Sequence, residues 1–486
     1  VVWLVIRRQT RQPITDLQRG ITQVSPLPPG VPKLGVAVAA VSLVGVVLLL
    51  LLYPVGEDRG ILAAYFSAGT LVLVGGLAVV GLLVHSSRKV LGLGEPSLFR
   101  IGVHGLGRRR LRSLTIAGLL ACGLFLVFTV GANRKSATVG ASKRDSGTGG
   151  FALYGESAVP VIHDLNQWDV REDYGLEAQG LGGTRFVQLR VKEGDDASCL
   201  NLNRVSNPQL LGVDPEELVR REAFTFARTI AEADPENPWG ILSQDSGSVV
   251  PAVADMTVIQ WGLGRSVGDT LVYTDEQGRS FGVRLVAGLA NSVFQGNLIV
   301  SEDHLIEKYP SLSGYRLFLI DAPMDSLEEI SRDISWALQD WGFELVPASE
   351  RLDQFNQVEN TYLSIFFILG GFGVLLGSIG IGIMVMRSIQ ERQGELALLR
   401  AVGYSRGMLR KMIRWEFMVL LLAGTALGVA SALVATYPTL IAPGAEIPAS
   451  TLLVLFILVL ANGGLWIHLA AARALRRPLL PALREE

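Results

Sequence analysis

The stretch RSIQERQGELALLRAVGYSRGMLRKMIRWEF, residues 387–417, follows the charge-free run TYLSIFFILGGFGVLLGSIGIGIMVM at 361–386 and precedes two more apolar runs at 417–438 and 451–472. Crossing about 30 Å of hydrocarbon takes about 20 apolar residues in a helix, because lipid offers no partner to an unpaired backbone N–H or C=O. The three runs meet that length. The connector between the first two is long enough but holds seven basic residues, which exclude it from the hydrocarbon. Hydrophobicity and charge here specify a topology together. Three further runs, at 34–54, 61–84 and 114–133, pass the same test, so the chain reads as a membrane protein with an α-helical transmembrane bundle of six spans. Soluble cores rarely keep helices of this length without a charged face.

Lys and Arg in short connectors stay in the cytoplasm and set orientation. Arg7, Arg8, Arg11 and Arg19 precede the first span, and the connector at 85–113 carries Arg88, Lys89, Arg100, Arg108, Arg109, Arg110 and Arg112. The links at 56–60 and 437–450 carry one basic residue and none, while Arg473, Arg476, Arg477 and Arg484 follow the last span. One alternation satisfies all six spans and leaves 134–360 outside, as long domains cross largely regardless of charge. In that region acidic residues outnumber basic ones by about two to one, although the whole chain is formally at −2. The membrane and cytoplasmic parts are therefore basic, which suits anionic lipid on the inner face.

The outer region reads as α+β. Period-two alternation marks strands near 186–191, 270–273, 281–286 and 315–320, with Asp275-Glu276-Gln277-Gly278 as a hairpin turn. Ser326 and Glu329 form an S-x-x-E capping box ahead of Leu327, Ile330, Ile334, Leu338 and Trp341 at helical spacing, before a strand near 343–346. The length suffices for two compact subdomains, divided near the polar stretch at 232–239. The last ten residues of the region, RLDQFNQVEN at 351–360, contain no helix breaker before the span at 361. A helix running unbroken from outer domain into membrane would be a stalk; a plain linker is the alternative.

Catalytic chemistry is sparse. His85, His104, His163, His304 and His468 lie in different compartments without metal-ligand spacing, and neither a G-x-S-x-G elbow nor a P-loop occurs. Asp195-Asp196 beside Ser198-Cys199 has no base nearby and reads as a solvated loop. Cys122 and Cys199 fall in different compartments and do not pair. No cofactor, metal or nucleic acid is expected. The spans hold almost no ionisable group apart from His468, which disfavours ion-coupled carriage; Glu416 sits at the cytoplasmic edge, within reach of water or Arg414. Glycines are abundant instead: Gly370, Gly371, Gly373, Gly377, Gly380 and Gly382, then Gly424 and Gly428. Close static packing and a moving interface explain them equally well.

Within the connector, Glu391, Arg392, Glu395 and Arg400 lie on a short helix whose other side offers Leu396, Leu398 and Leu399. Gly403 can stop it, and Ser405 can cap a second helix carrying Arg406, Arg410, Lys411 and Arg414. An apolar knob with charged flanks suits docking into a groove on a soluble partner; a juxtamembrane helix lying on lipid is the alternative.

ERQGELALLRAVGYSRGMLRKMI between the first two spans of a terminal three-span unit, with the tail ALRRPLLPALREE, resembles the FtsX-like permeases of ABC transporters, which include the MacB and lipoprotein-releasing types. LFRIGVHGLGRRRLRSLTIAGLL at 98–120 is similar to the basic amphipathic lead-in helix and first span of that family. VPAVADMTVIQWGLGRSVGDTLVY at 250–273 is similar to the MacB-like core domain. The resemblance implies a layout: 1–32, the cytoplasmic tail of a preceding unit; 33–85, a linking transmembrane hairpin; 98–133, lead-in helix and span; 134–360, an extracytoplasmic MacB-like domain with stalk; and 361–486, the three-span unit. Because the chain opens VVWLVIRRQTRQ, as if in mid-span, it reads as the C-terminal part of a ten-span, two-unit permease of the bacterial inner membrane. By the same resemblance a separate ABC ATPase hydrolyses ATP and pushes Glu391, Glu395, Leu398, Leu399, Arg400 and Gly403, while a stalk through Gln354, Phe355, Glu359 and Asn360 moves the outer domain. The implied work is export or extraction of lipids, lipoproteins or other amphiphiles. Two alternatives share this layout: regulation of an outer partner such as a cell-wall hydrolase, and peptide-sensing resistance. A membrane enzyme working alone is the least favoured reading.

Overall fold

The computed structural model describes residues 33–54, 60–90, 110–134, 140–176, 181–195, 207–234, 237–244, 249–442 and 449–475. The tail at 1–32, the lead-in helix over 98–109, Cys199 and the basic tail beyond 475 lie outside the described residues. Among the described residues six helices are long and apolar enough to cross a membrane, one for each expected span. The first three are α1 (Lys33–Leu52), α2 (Ile61–Val90) and α3 (Arg110–Ala132).

The outer domain follows, with β1 (Leu153–Val161), α4 (Trp168–Asp173), β2 (Arg185–Lys192), β3 (Gln209–Val213), α5 (Pro215–Val219), β4 (Phe226–Thr229) and β5 (Val249–Asp255). It continues through β6 (Thr270–Thr274), β7 (Ser280–Leu289), β8 (Asn297–Ser301), α6 (Glu302–Lys308), β9 (Tyr315–Asp321), α7 (Leu327–Ala337) and β10 (Phe343–Pro347). The strands form one ten-stranded sheet in the order β10-β1-β9-β2-β3-β8-β5-β7-β4, with β6 also on β7. The pairs β3–β8 and β5–β7 are parallel and the rest antiparallel.

Successive residues of a strand point to opposite faces, and the sheet buries both. Leu317 and Leu319 of β9, Leu211 and Val213 of β3 and Val253 of β5 join one cluster along a single face, closed by Leu218, Trp239, Ile241 and Leu242. The other face carries two clusters. Phe318 and Ile320 meet Ile330 and Ile334 of α7, while Ala252, Ala254 and Val300 meet Leu305 of α6 and the turn at Val258 and Ile259. The division expected near 232–239 is therefore absent. Trp239 there is buried in the long cluster, and β4 and β5 on either side of it both pair with β7. The capping box is also corrected: Met324–Ser326 already coil as a 3₁₀ turn, so α7 starts from a helical turn, and the Ser326 hydroxyl makes no cap bond.

The last unit holds α8 (Ala348–Glu391), α9 (Gln393–Ala401), α10 (Arg406–Ile441) and α11 (Ala449–Ala474). Its centre is α3, which lies against both α8 and α10. A Cβ on Gly123 of α3 would stand 2.7 Å from the Val374 amide nitrogen, and one on Gly428 of α10 would stand 2.7 Å from the Ala121 carbonyl oxygen. These backbones touch because no side chain separates them. Gly370, Gly377, Gly382 and Gly424 face neighbours in the same way, whereas Gly371 and Gly380 face open space. Asn462 Nδ2 of α11 donates to Ser378 Oγ of α8 at 2.9 Å. Helix α2 packs on α10, and α1 chiefly on α2.

Candidate functional site: the connector and the stalk

Helix α8 has 44 residues, about 66 Å at about 1.5 Å per residue, more than twice the hydrocarbon thickness. Its outer end is part of the sheet's core. Pro347 ends β10 and immediately precedes the helix, the Ala348 amide donates to the Ala152 carbonyl at 3.0 Å, and Ala348 and Leu352 are buried in the long cluster. Residues 351–360 thus lie in one continuous helix with the span, and that helix starts at Ala348, earlier than Gln354.

One turn along, Arg351 ties the outer end of α8 to β1. Its guanidinium lies over the rings of Tyr154 at 5.2 Å and Phe355 at 4.8 Å, and Nη2 reaches Glu156 Oε1 at 3.2 Å. The Tyr154 hydroxyl donates to the same oxygen at 2.8 Å. Burial, and then the Glu156 charge, push the Tyr154 hydroxyl far above its ordinary range. Of the named stalk residues, Phe355 is buried, Gln354 and Glu359 face outward, and Asn360 is half-buried. A groove of about 500 Å³ bordered by Arg134, Glu350, Asp353, Gln357, Thr361 and Ser364 runs along one side of the helix just above the span.

At the inner end the helix stops at Arg392, where φ is −118°. Helix α9 then runs for nine residues and closes on Gly403, at φ 110°, the left-handed conformation that glycine adopts without strain. Tyr404 N returns to Leu399 O at 3.0 Å, and Ser405 Oγ accepts the Met408 amide at 3.2 Å to start α10. The stop and the cap lie where the sequence puts them.

The apolar side of α9 is divided. Leu396 and Ala397 are buried with Ile389, Leu409, Met412 and Ile413 in a cluster that also takes in Ile467 and Ala471 of α11. Leu399 is half-buried against that cluster. Leu398 remains exposed and is joined by Val402, 73% exposed and missed by the sequence reading. Around them Glu391, Glu395 and Arg400 face outward, with Glu391 held by Arg387 at 2.7 Å. The place given to Glu416 is also corrected. Its side chain is 4% exposed and meets Arg392 at 3.1 Å rather than Arg414 or open water. Sequence proximity pointed to Arg414; the turn at Arg392 brings a more distant cation inward. Among the described residues no group of His, Cys, Asp or Glu is placed to hold a metal.

Residues 367–479 match the family model for the FtsX-like permease C-terminal domain. No curated protein matches the chain. The matched region takes in most of the membrane part of α8 and all of α9, α10 and α11, so it contains the connector and the three spans that the apolar pattern marks out. By that match the last three spans and their connector form an FtsX-like permease C-terminal domain, in a chain with six helices long and apolar enough to cross a membrane among the described residues.

Proposed function

We propose that this chain is a mechanotransmitting permease: ATP hydrolysis by a separate ATPase pushes α9, and α8 carries the displacement to the outer domain. One observation supports this above the others. A single unbroken helix is buried at one end in the core of the outer sheet and at the other in the core of the connector. The docking face is Leu398 and Val402, bordered by Glu391, Glu395 and Arg400, an exposed apolar knob with charged flanks suited to a groove on a soluble partner. Gly403 sets where that face ends.

The remaining parts of the reading follow from the family resemblance. The outer domain is a MacB-like core domain acting at the outer face of a bacterial cytoplasmic membrane, and its cargo is a lipid, a lipoprotein or another amphiphile. Such cargo need not pass between the spans, consistent with spans that carry almost no ionisable groups.

The test is ATPase activity of the full-length permease co-expressed with its candidate ATPase in lipid nanodiscs. Leu398→Asp with Val402→Asp is expected to abolish association and permease-dependent ATP turnover. A Gly-Gly-Ser insertion after Glu359 is expected to preserve association but uncouple the outer domain. Unchanged association in the first variant would return α9 to a lipid-facing role.

A further inference from the structure

Arg392 stands at the single break between stalk helix and connector helix, and its side chain turns inward. Nε donates to Glu395 Oε2 in the first turn of α9 at 3.1 Å, and Nη1 donates to Glu416 Oε2 in α10 at 3.1 Å. The Arg392 and Glu416 side chains are 15% and 4% exposed. Glu416 directly precedes Phe417, where the apolar span begins. A carboxylate at that depth is costly unless a cation meets it. The planar guanidinium fork can hold two carboxylates on different helices at once, which a lysine ammonium does less well. Three elements thus meet at one side chain: the end of α8, the start of α9 and the interior of α10. Ile389, Leu396, Leu409 and Met412 form the apolar surround.

We infer that Arg392 is a positioning residue, a latch that fixes the angle of α9 to α10 through Glu416. A push on Leu398 and Val402 then displaces the inner ends of α8 and α10 as one body instead of bending the joint. The functional meaning of the latch rests on α9 being the ATPase contact; the latch itself can be measured without any ATPase.

The experiment uses the full chain in nanodiscs, with Cys122→Ser and Cys199→Ser, and spin labels at Arg400→Cys on α9 and Ile441→Cys at the outer end of α10. Electron–electron double resonance is expected to give one narrow distance distribution. Arg392→Met should broaden it at least twofold. Arg392→Lys, which keeps the charge and one contact, should restore much of the narrow component, a rescue that a mere packing role would not produce. If Arg392→Met fails to assemble, Glu416→Gln decides the question, because it preserves shape while removing the charge, and broadening is again expected. A distribution as narrow as wild type in the assembled variants would overturn the latch and leave the ATPase contact standing. Loss of ATPase association in Leu398→Asp/Val402→Asp, which touches neither carboxylate that Arg392 holds, with an unchanged distance distribution tests the coupling reading separately.

Discussion

At the scale of single residues, the root of the stalk is set by Tyr154, Glu156 and Arg351. The tyrosine hydroxyl is a buried donor to a carboxylate that the guanidinium also holds. Its folded pKa lies above the ordinary 10.0, so the protonated form belongs to the folded state. The stability it contributes is therefore complete below pH about 10 and is lost as pH rises beyond it. Tyr273 shifts in the same direction, chiefly through burial. Alkaline titration of the full-length protein, followed by near-ultraviolet circular dichroism, should show the outer domain loosening above pH about 10. Tyr154→Phe should make that loss shallower while costing about 1 kcal/mol at neutral pH. A variant whose alkaline profile overlays wild type would remove Tyr154 from the root.

At the scale of elements, the bundle depends on close backbone crossings, and these can be tested against an internal control. Alanine at Gly123 would place its Cβ 2.7 Å from the Val374 nitrogen and 3.0 Å from the Gly373 carbonyl carbon. Neither atom belongs to a side chain that could rotate away, so α3 and α8 must separate. The expected cost is about 1–3 kcal/mol, read as a lower unfolding midpoint in nanodiscs. Gly371→Ala meets open space and should be neutral or slightly stabilising, since alanine favours the helix by about 1 kcal/mol. Equal effects at both positions would mean that α3 and α8 do not cross at Gly123. The same scale shows what the sequence could reveal. Strands β2, β6, β7 and β9 were legible by alternation, and the six spans by length. Strands β3, β5 and β8 were not: each is buried at nearly every position, and a strand covered on both faces loses its period of two. The connector's stop and cap were legible as local signals. The Arg392–Glu416 contact was not, because 24 residues separate its members and a nearer cation competed for it. Val402 escaped notice because α9 rotates Leu399 inward and brings the next apolar residue to the surface.

At the scale of the whole molecule, an acidic outer domain on one ten-stranded sheet stands on a basic membrane bundle, and α8 joins them without interruption. Inserting flexible residues after Glu359 should separate ATP turnover from outer motion, as the stalk reading requires. The direct junction of β10 with α8 has one more consequence. No loop intervenes at Pro347 between strand and helix to absorb a displacement. On the proposed coupling, resistance met by the outer sheet would be passed inward to the joint at Arg392, since a coupling free energy between two sites is reciprocal. The permease would then act as a governor as well as a lever, with its load throttling the motor. An antibody fragment clamped to the outer domain should change the ATPase rate of the assembled complex, and a Gly-Gly-Ser insertion after Glu359 should make the motor deaf to it.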